Sequence, residues 1–263
     1  MSFNLNKKFK KEISLISYLY IFFRFGRIES ILRKILRTIS KYYYKLNNTS
    51  EIESYNPENL IDIENLFSHK KKFDKENYIY IENFFEENFF KKILNSWPKR
   101  YEFRPPFTLD KFYDIGFITV GNSEEPQKYK WIEHLNTYVK SEKFLKVLNE
   151  FTENKLHFCT SYLTQTRQNS YVALHLDDME KNKLQHGSIN CNITIDSSES
   201  ENCGNLSLGT SNLWDDLYFK SPNFKNSILI YKIGHDHYHG FKPVKKNEFR
   251  KAINVLFVKQ PVM

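Results

Sequence analysis

Ser188-Ile189-Asn190-Cys191-Asn192-Ile193-Thr194-Ile195 alternates without a break: one side is Ser, Asn, Asn, Thr and the other Ile, Cys, Ile, Ile. Successive side chains of a β-strand point to opposite faces, so the segment reads as a strand with one polar and one apolar face. Arg250-Lys251-Ala252-Ile253-Asn254-Val255-Leu256-Phe257 follows the same rule, with Arg250, Ala252, Asn254 and Leu256 opposite Ile253, Val255 and Phe257. A surface strand alternates in this way. So does the wall of a barrel whose interior binds a polar ligand. Around these two segments, from Lys155 onward, lie short β-like runs separated by turn residues: 156–166, 170–176, 188–195, 205–208, 227–232, 237–242 and 251–258. Many short strands at regular spacing predict an antiparallel sandwich or barrel.

Upstream the texture is helical. Tyr78-Ile79-Tyr80-Ile81 is β-prone, and Asn83 precedes a helix over 84–94 with acids early and lysines late, which Trp97-Pro98 stops. A second helix is expected over 133–149, with Leu135, Val139, Phe144, Val147 and Leu148 as its apolar side. Helices first and strands after make the class α+β.

The net charge of +8 is concentrated at one end. Residues 1–50 hold eleven Lys/Arg against Glu12 and Glu29, and the remainder carries a net charge of −1. A nucleic-acid enzyme would place basic surface around its active site, so no nucleic-acid partner is expected. The apolar run 13–23 is too short to span a bilayer. Over 28–44, Ile28, Ile31, Leu32, Ile35, Leu36 and Ile39 fall on one helical face, with Arg33, Lys34, Arg37 and Lys41 opposite. Such a helix either packs on the main domain or touches a membrane or partner through residues 13–45. The division that follows is a basic amphipathic helical segment 1–46, a linker 47–75 and a domain 76–263. Cys159, Cys191 and Cys203 form no C-x-x-C pair. They suit a reducing compartment, here the cytoplasm, peripheral to the membrane if the helix binds there.

His175-Leu176-Asp177 closes one strand run, and residues i and i+2 of a strand point the same way, so an imidazole and a carboxylate converge. Alone that is weak, since a strand-end histidine is usually structural. His239-Gly240 supplies a second imidazole, and Arg250 opens the last strand eleven positions later. Two His and one Asp on one face, with open positions, form the facial triad of non-haem Fe(II) sites. A 2-oxo acid can chelate through two of those positions and O₂ can take the third. A buried arginine can fork onto the far carboxylate, which lysine could not copy.

With these residues in this order, the chain resembles the 2-oxoglutarate/Fe(II)-dependent dioxygenase superfamily, in its prolyl-4-hydroxylase-like branch. The resemblance runs over roughly 76–263 through His175/Asp177, the turn Cys203-Gly204-Asn205-Leu206, the run from Pro222 through Asn226-Ser227 to Tyr231, and His239-Gly240-Phe241-Lys242-Pro243-Val244 with Arg250. It implies a double-stranded β-helix (jelly-roll) core and Fe(II) held by His175, Asp177 and His239. It also implies 2-oxoglutarate anchored by Arg250, and hydroxylation of an unactivated C–H bond in a small-molecule, sugar or peptidyl substrate. Members that halogenate lack the carboxylate, which this chain keeps as Asp177. Two positions depart from the pattern: Thr166 and Asn169 stand where many members have Tyr and Gly. Asn tolerates the left-handed backbone that Gly supplies. The loss of the Tyr leaves the second oxo-acid contact open among Asn192, Tyr162 and Asn190. His235 and His237 share strand parity with His239, which the following Gly and the arginine offset favour. The rival readings are a non-catalytic, cupin-like jelly-roll binding module and a nucleic-acid-demethylating member of the same family.

Overall fold

The structure, a computed structural model, describes residues 60–98, 103, 111–112, 114–117, 130–177, 186–234 and 237–259, together with Ile35, Thr38 and Ile39. The basic helix expected over 28–44 and the apolar run before it otherwise lie outside the described residues. Ile35 and Ile39 are helical and about half exposed.

The described helices are α1 (Ile63–Ser68), α2 (Lys70–Glu76), α3 (Glu87–Asn95), α4 (Lys130–Lys140) and α5 (Glu142–Thr152). The described strands begin with β1 (Tyr78–Ile81), β2 (Lys111–Phe112), β3 (Asp114–Phe117), β4 (His157–Thr166) and β5 (Tyr171–His175). They continue with β6 (Ile189–Ser197), β7 (Ser207–Gly209), β8 (Leu217–Lys220), β9 (Ser227–Lys232), β10 (Tyr238–Phe241) and β11 (Arg250–Val258). All pair antiparallel, in one six-stranded sheet ordered β1-β9-β6-β11-β4-β3 and one five-stranded sheet ordered β2-β5-β10-β7-β8. This is the expected α+β class with a double-stranded β-helix core.

Strand parity decides how the layers stack. Ile189, Cys191, Ile193 and Ile195 of β6, Ile253, Val255 and Phe257 of β11, and Ile228 and Ile230 of β9 form one apolar sheet face. Phe73, Phe89, Ile93, Leu148 and Phe151 of the helices complete that cluster. Each such side chain, 0–2% exposed, contributes about 1.5–3 kcal/mol by leaving water. Cys191 is packing in this layer, and burial pushes its thiol far above the ordinary value. The opposite face of the large sheet looks toward the small one. There Leu206, Leu208, Leu229, Tyr231 and Val258 cluster, and the polar stripe of β6 and β11 is buried.

Several expectations need correction. Residues 60–75 are not a linker: Leu60, Leu66 and Phe73 are core residues, and Asp62 caps α1 by accepting from the Asn65 N–H at 2.9 Å. The polar 47–57 stretch lies outside the described residues. The helix expected from Phe84 begins at Glu87, because the Glu86 carboxylate caps it, accepting from the Asn88 and Phe89 amides at 2.9 Å each. The helix expected over 133–149 is two. Ser141 leaves helical geometry with ψ 148° and its hydroxyl accepts from the Phe144 N–H. Strands β2, β3 and β8 were not expected.

Candidate metal centre

His175 and His239 are direct cross-strand partners in the β5–β10 pair, so their imidazoles leave the same face and their ring centroids lie 4.4 Å apart. Gly240 makes that approach possible. A Cβ there would sit 2.5 Å from the Val172 carbonyl oxygen and 3.0 Å from two atoms of Ala173. Asp177 follows β5 by two residues, and its Oδ1 is 3.7 Å from His239 Nε2. One ligand atom from each of the three lies within 4.8 Å of the others, as a shared cation requires. His175 Nδ1 lies 2.9 Å from the Ala173 carbonyl. A carbonyl only accepts, so Nδ1 carries the proton and Nε2 keeps its lone pair for a metal. His239 Nδ1 faces the His237 carbonyl at 3.4 Å in the same sense. His237 itself meets the Tyr218 hydroxyl and is outside the cluster, and His235 lies outside the described residues.

The same cavity, about 80 Å³, is lined by Tyr162, Thr164, Asn190, Asn192, Tyr231 and Arg250 as well as the triad. Arg250 is 3% exposed, and burial lowers its guanidinium to about 10, still a cation at neutral pH. No carboxylate among the described residues pairs with it. Its Nε donates to Thr194 Oγ1 at 3.1 Å and its Nη2 to Asn192 Oδ1. A buried cation held by neutral groups and open to a cavity is built to receive an anion.

The three candidates for a second acid contact separate. Asn192 is committed on both sides, to Arg250 and, through Nδ2, to Asn254 Oδ1. Tyr162 lines the cavity. Asn190, 9% exposed, lines it too, and its buried Oδ1 has no hydrogen-bond partner. Thr166 takes a structural role, donating to the Cys203 carbonyl at 2.8 Å beneath Gly204, whose φ is +98°. Asn169 has φ +66° and its N–H donates to the Val244 carbonyl at 2.8 Å, so Asn does replace Gly in that turn. Tyr231 and Thr164 were missed as site residues. Tyr231 is fully buried, its ring is 5.6 Å from that of His239, and burial raises its hydroxyl well above the ordinary value, with Asp177 adding in the same direction. Its place opposite Asn190 in the β6–β9 pair was the signal that could have found it.

No protein-family model matches the chain, and no curated protein does. Solved structures do. A prolyl hydroxylase from Trichoplax adhaerens, in complex with a peptide fragment of the hypoxia inducible factor oxygen degradation domain, superposes with TM-score 0.57 at 14% identity, over 75% of this chain and 90% of that one. The chain has the 2-oxoglutarate/Fe(II) oxygenase fold. The non-haem α-ketoglutarate-dependent epimerase SnoN from nogalamycin biosynthesis matches with TM-score 0.54 at 8% identity, covering 75% of this chain and 82% of that one. HygX from Streptomyces hygroscopicus, with nickel and 2-oxoglutarate bound, matches with TM-score 0.53 at 10% identity over 73% and 87%. An oxygenase fold shared by a hydroxylase and an epimerase leaves the reaction to be argued from the site.

Proposed function

We propose that the protein is an Fe(II)- and 2-oxoglutarate-dependent dioxygenase that hydroxylates an unactivated C–H bond in a small-molecule, sugar or peptidyl substrate. One observation carries the reading. A single cavity holds a His-Asp-His cluster and a fully buried arginine without a carboxylate partner among the described residues. The donor set fits the metal: two neutral imidazoles and one carboxylate suit non-haem Fe(II), and their open side faces the cavity. The arginine fits the acid.

Bound there, Fe(II) and 2-oxoglutarate supply O₂ activation coupled to oxidative decarboxylation of the acid to succinate and CO₂. The chain's own residues do the rest. His175 and His239 present Nε2 because backbone carbonyls hold their other nitrogens. Asp177 brings the negative charge that offsets part of the cation's. Arg250 takes the distal carboxylate. The Asn190 Nδ2 and the Tyr162 hydroxyl, donors on the cavity wall, are the second contact to the acid, since Asn192 is already engaged. Leu206, Val172 and Phe241 line the cavity with apolar surface and exclude water. Asp177 also favours hydroxylation over halogenation, which needs an open position in place of that carboxylate. The peptide in the Trichoplax complex places peptidyl side chains among the first substrates to screen.

The test is succinate formation from 2-oxoglutarate by the Fe(II)-loaded protein across a panel of peptide, sugar and amino-acid substrates. Wild type turns over with at least one of them, and Asp177→Ala abolishes turnover. Iron uptake by neither protein would instead identify a non-catalytic jelly-roll module.

A further inference from the structure

A chain of side-chain hydrogen bonds crosses the middle of the large sheet and ends on Arg250, and its direction is fixed at the far end. The Ala252 carbonyl can only accept, so Thr164 Oγ1 spends its proton on it at 3.3 Å. Thr164 must then accept from Asn254 Nδ2, also at 3.3 Å. That turns Asn254 Oδ1 toward Asn192, which donates Nδ2 to it. Asn192 Oδ1 is thereby left facing the guanidinium and accepts from Arg250 Nη2. The register supports each step: Asn254 stands opposite Asn192 in the β11–β6 pair, and Ala252 opposite Thr164 in the β11–β4 pair. Thr164, Asn192, Asn254 and Arg250 are all buried, so no step competes with bulk water.

The outcome is stereochemical. Nε and Nη2 share one edge of a guanidinium, and Thr194 and Asn192 occupy that edge. What remains for a ligand is the end-on fork of Nη1 and Nη2, the pair that grips a carboxylate with two parallel bonds. We propose that Thr164, Asn254 and Asn192 form a polarity relay that sets the orientation of Arg250, so that its end-on fork faces the cavity before any acid arrives. These are positioning residues for the anchor, none of them needing to touch the acid. The inference rests on the oxygenase reading only in taking 2-oxoglutarate as the acid.

The relay can be reversed, which gives the test. In Asn192→Asp, a carboxylate becomes the built-in counter-ion of Arg250. The Asn254 amide can turn to donate to it, with Thr164 donating to Asn254 in turn. The variant should melt higher than wild type when metal-free, yet bind 2-oxoglutarate more than about a hundredfold more weakly, because the new carboxylate neutralises the guanidinium and repels a second anion at the end-on fork. A purely structural role predicts the opposite coupling, with stability and binding falling together. Asn254→Leu cuts the relay and should weaken 2-oxoglutarate binding roughly tenfold to a hundredfold. Thr164→Val, a smaller change, should weaken it in the same direction if Asn254→Leu does not fold.

The measurements are calorimetric titrations of Mn(II), then of 2-oxoglutarate into the Mn(II)-loaded full chain, with thermal melts of the metal-free proteins. Mn(II) affinity should stay within about twofold of wild type in all variants, since none of these residues is in the metal cluster. Wild-type 2-oxoglutarate affinity in Asn192→Asp and Asn254→Leu would overturn the relay while leaving the oxygenase reading intact. If wild type itself binds Mn(II) but not 2-oxoglutarate, the reading of the acid site fails and the relay with it.

Discussion

Gly240→Ala tests whether the metal centre depends on backbone contact rather than on the ligands alone. The added methyl would meet the Val172 carbonyl oxygen at 2.5 Å, and ordinary van der Waals contact begins near 3.4 Å. Strands β5 and β10 must therefore move apart by about 0.9 Å, and the Val172 and Ala173 atoms are main chain that cannot swing away. That displacement stretches ladder bonds of about 2.9 Å past the limit of useful geometry. It also carries His239 away from His175 by several times the 0.2 Å or so that a metal site tolerates. Overpacking of this kind costs about 1–3 kcal/mol, which for a domain of this size lowers Tm by roughly 2–12 °C. Metal affinity should fall by at least about tenfold to a hundredfold, as for lost supporting contacts around a ligand. The assay is Mn(II) titration by calorimetry with thermal melts in the presence and absence of metal. If the variant binds Mn(II) like wild type and melts within about 1 °C of it, the close β5–β10 approach does not build the site and the reasoning is wrong.

Other substitutions probe separate steps. Arg250→Lys removes both the Nε bond to Thr194 and the end-on fork, so 2-oxoglutarate affinity should drop at least about tenfold while Mn(II) affinity holds, read by the same titrations. Asn169→Ala forces a Cβ residue without a local polar partner to keep φ +66° and should cost about 1–2 kcal/mol in urea unfolding, whereas Asn169→Gly should be near neutral. Glu133 on α4 is half-buried, and burial raises its carboxyl to about 7. The folded state therefore holds a proton that the unfolded chain has lost, and stability falls as pH rises from about 4.5 through about 7. Glu133→Gln should be more stable than wild type at pH 8 and equal to it at pH 4.5, a comparison that thermal melts at the two pH values make directly.

The strands that carry ligands were legible because their chemistry is local. His175 and Asp177 share a strand parity, and a glycine after His239 signals a close backbone neighbour whatever that neighbour is. Strand β9 matched at both ends because its run of Ile, Leu and Tyr is buried on both faces and bounded by turn residues. What escaped was set by individual contacts that composition and periodicity do not display. Strand β8, with alternate residues exposed, pairs among the described strands only with β7, and its Leu-Tyr-Phe-Lys sequence has no alternation to announce an edge. Residues 60–75 look polar because seven of them are charged, yet of the apolar ones between them Leu60, Ile61, Leu66 and Phe73 point into the core and Ile63 and Phe67 pack against it. The break at Ser141 turns on one hydroxyl reaching one amide, which a periodicity spanning both helices conceals.

The polar stripe of β6 shows why alternation by itself could not choose between surface and site. Asn190, Asn192 and Thr194 would look the same facing water. Their meaning comes from the second sheet, which covers them and leaves each 9% exposed or less. Once covered, every polar atom must find a partner or cost free energy. Asn192 and Thr194 find theirs in Arg250, and Arg250, lacking a carboxylate, passes the demand on to whatever enters the cavity. Asn190 makes the converse demand nearer the triad, at the level of Tyr231, where its unpaired Oδ1 calls for a donor. A stripe that needed only water would have no reason to bury a guanidinium, and a stripe meant only for packing would have no reason to be polar. Both conditions hold together only if a small anion completes the interior. Occupancy of this cavity by a carboxylate should therefore raise the melting temperature of the metal-loaded chain, whereas a neutral analogue of the same length should not.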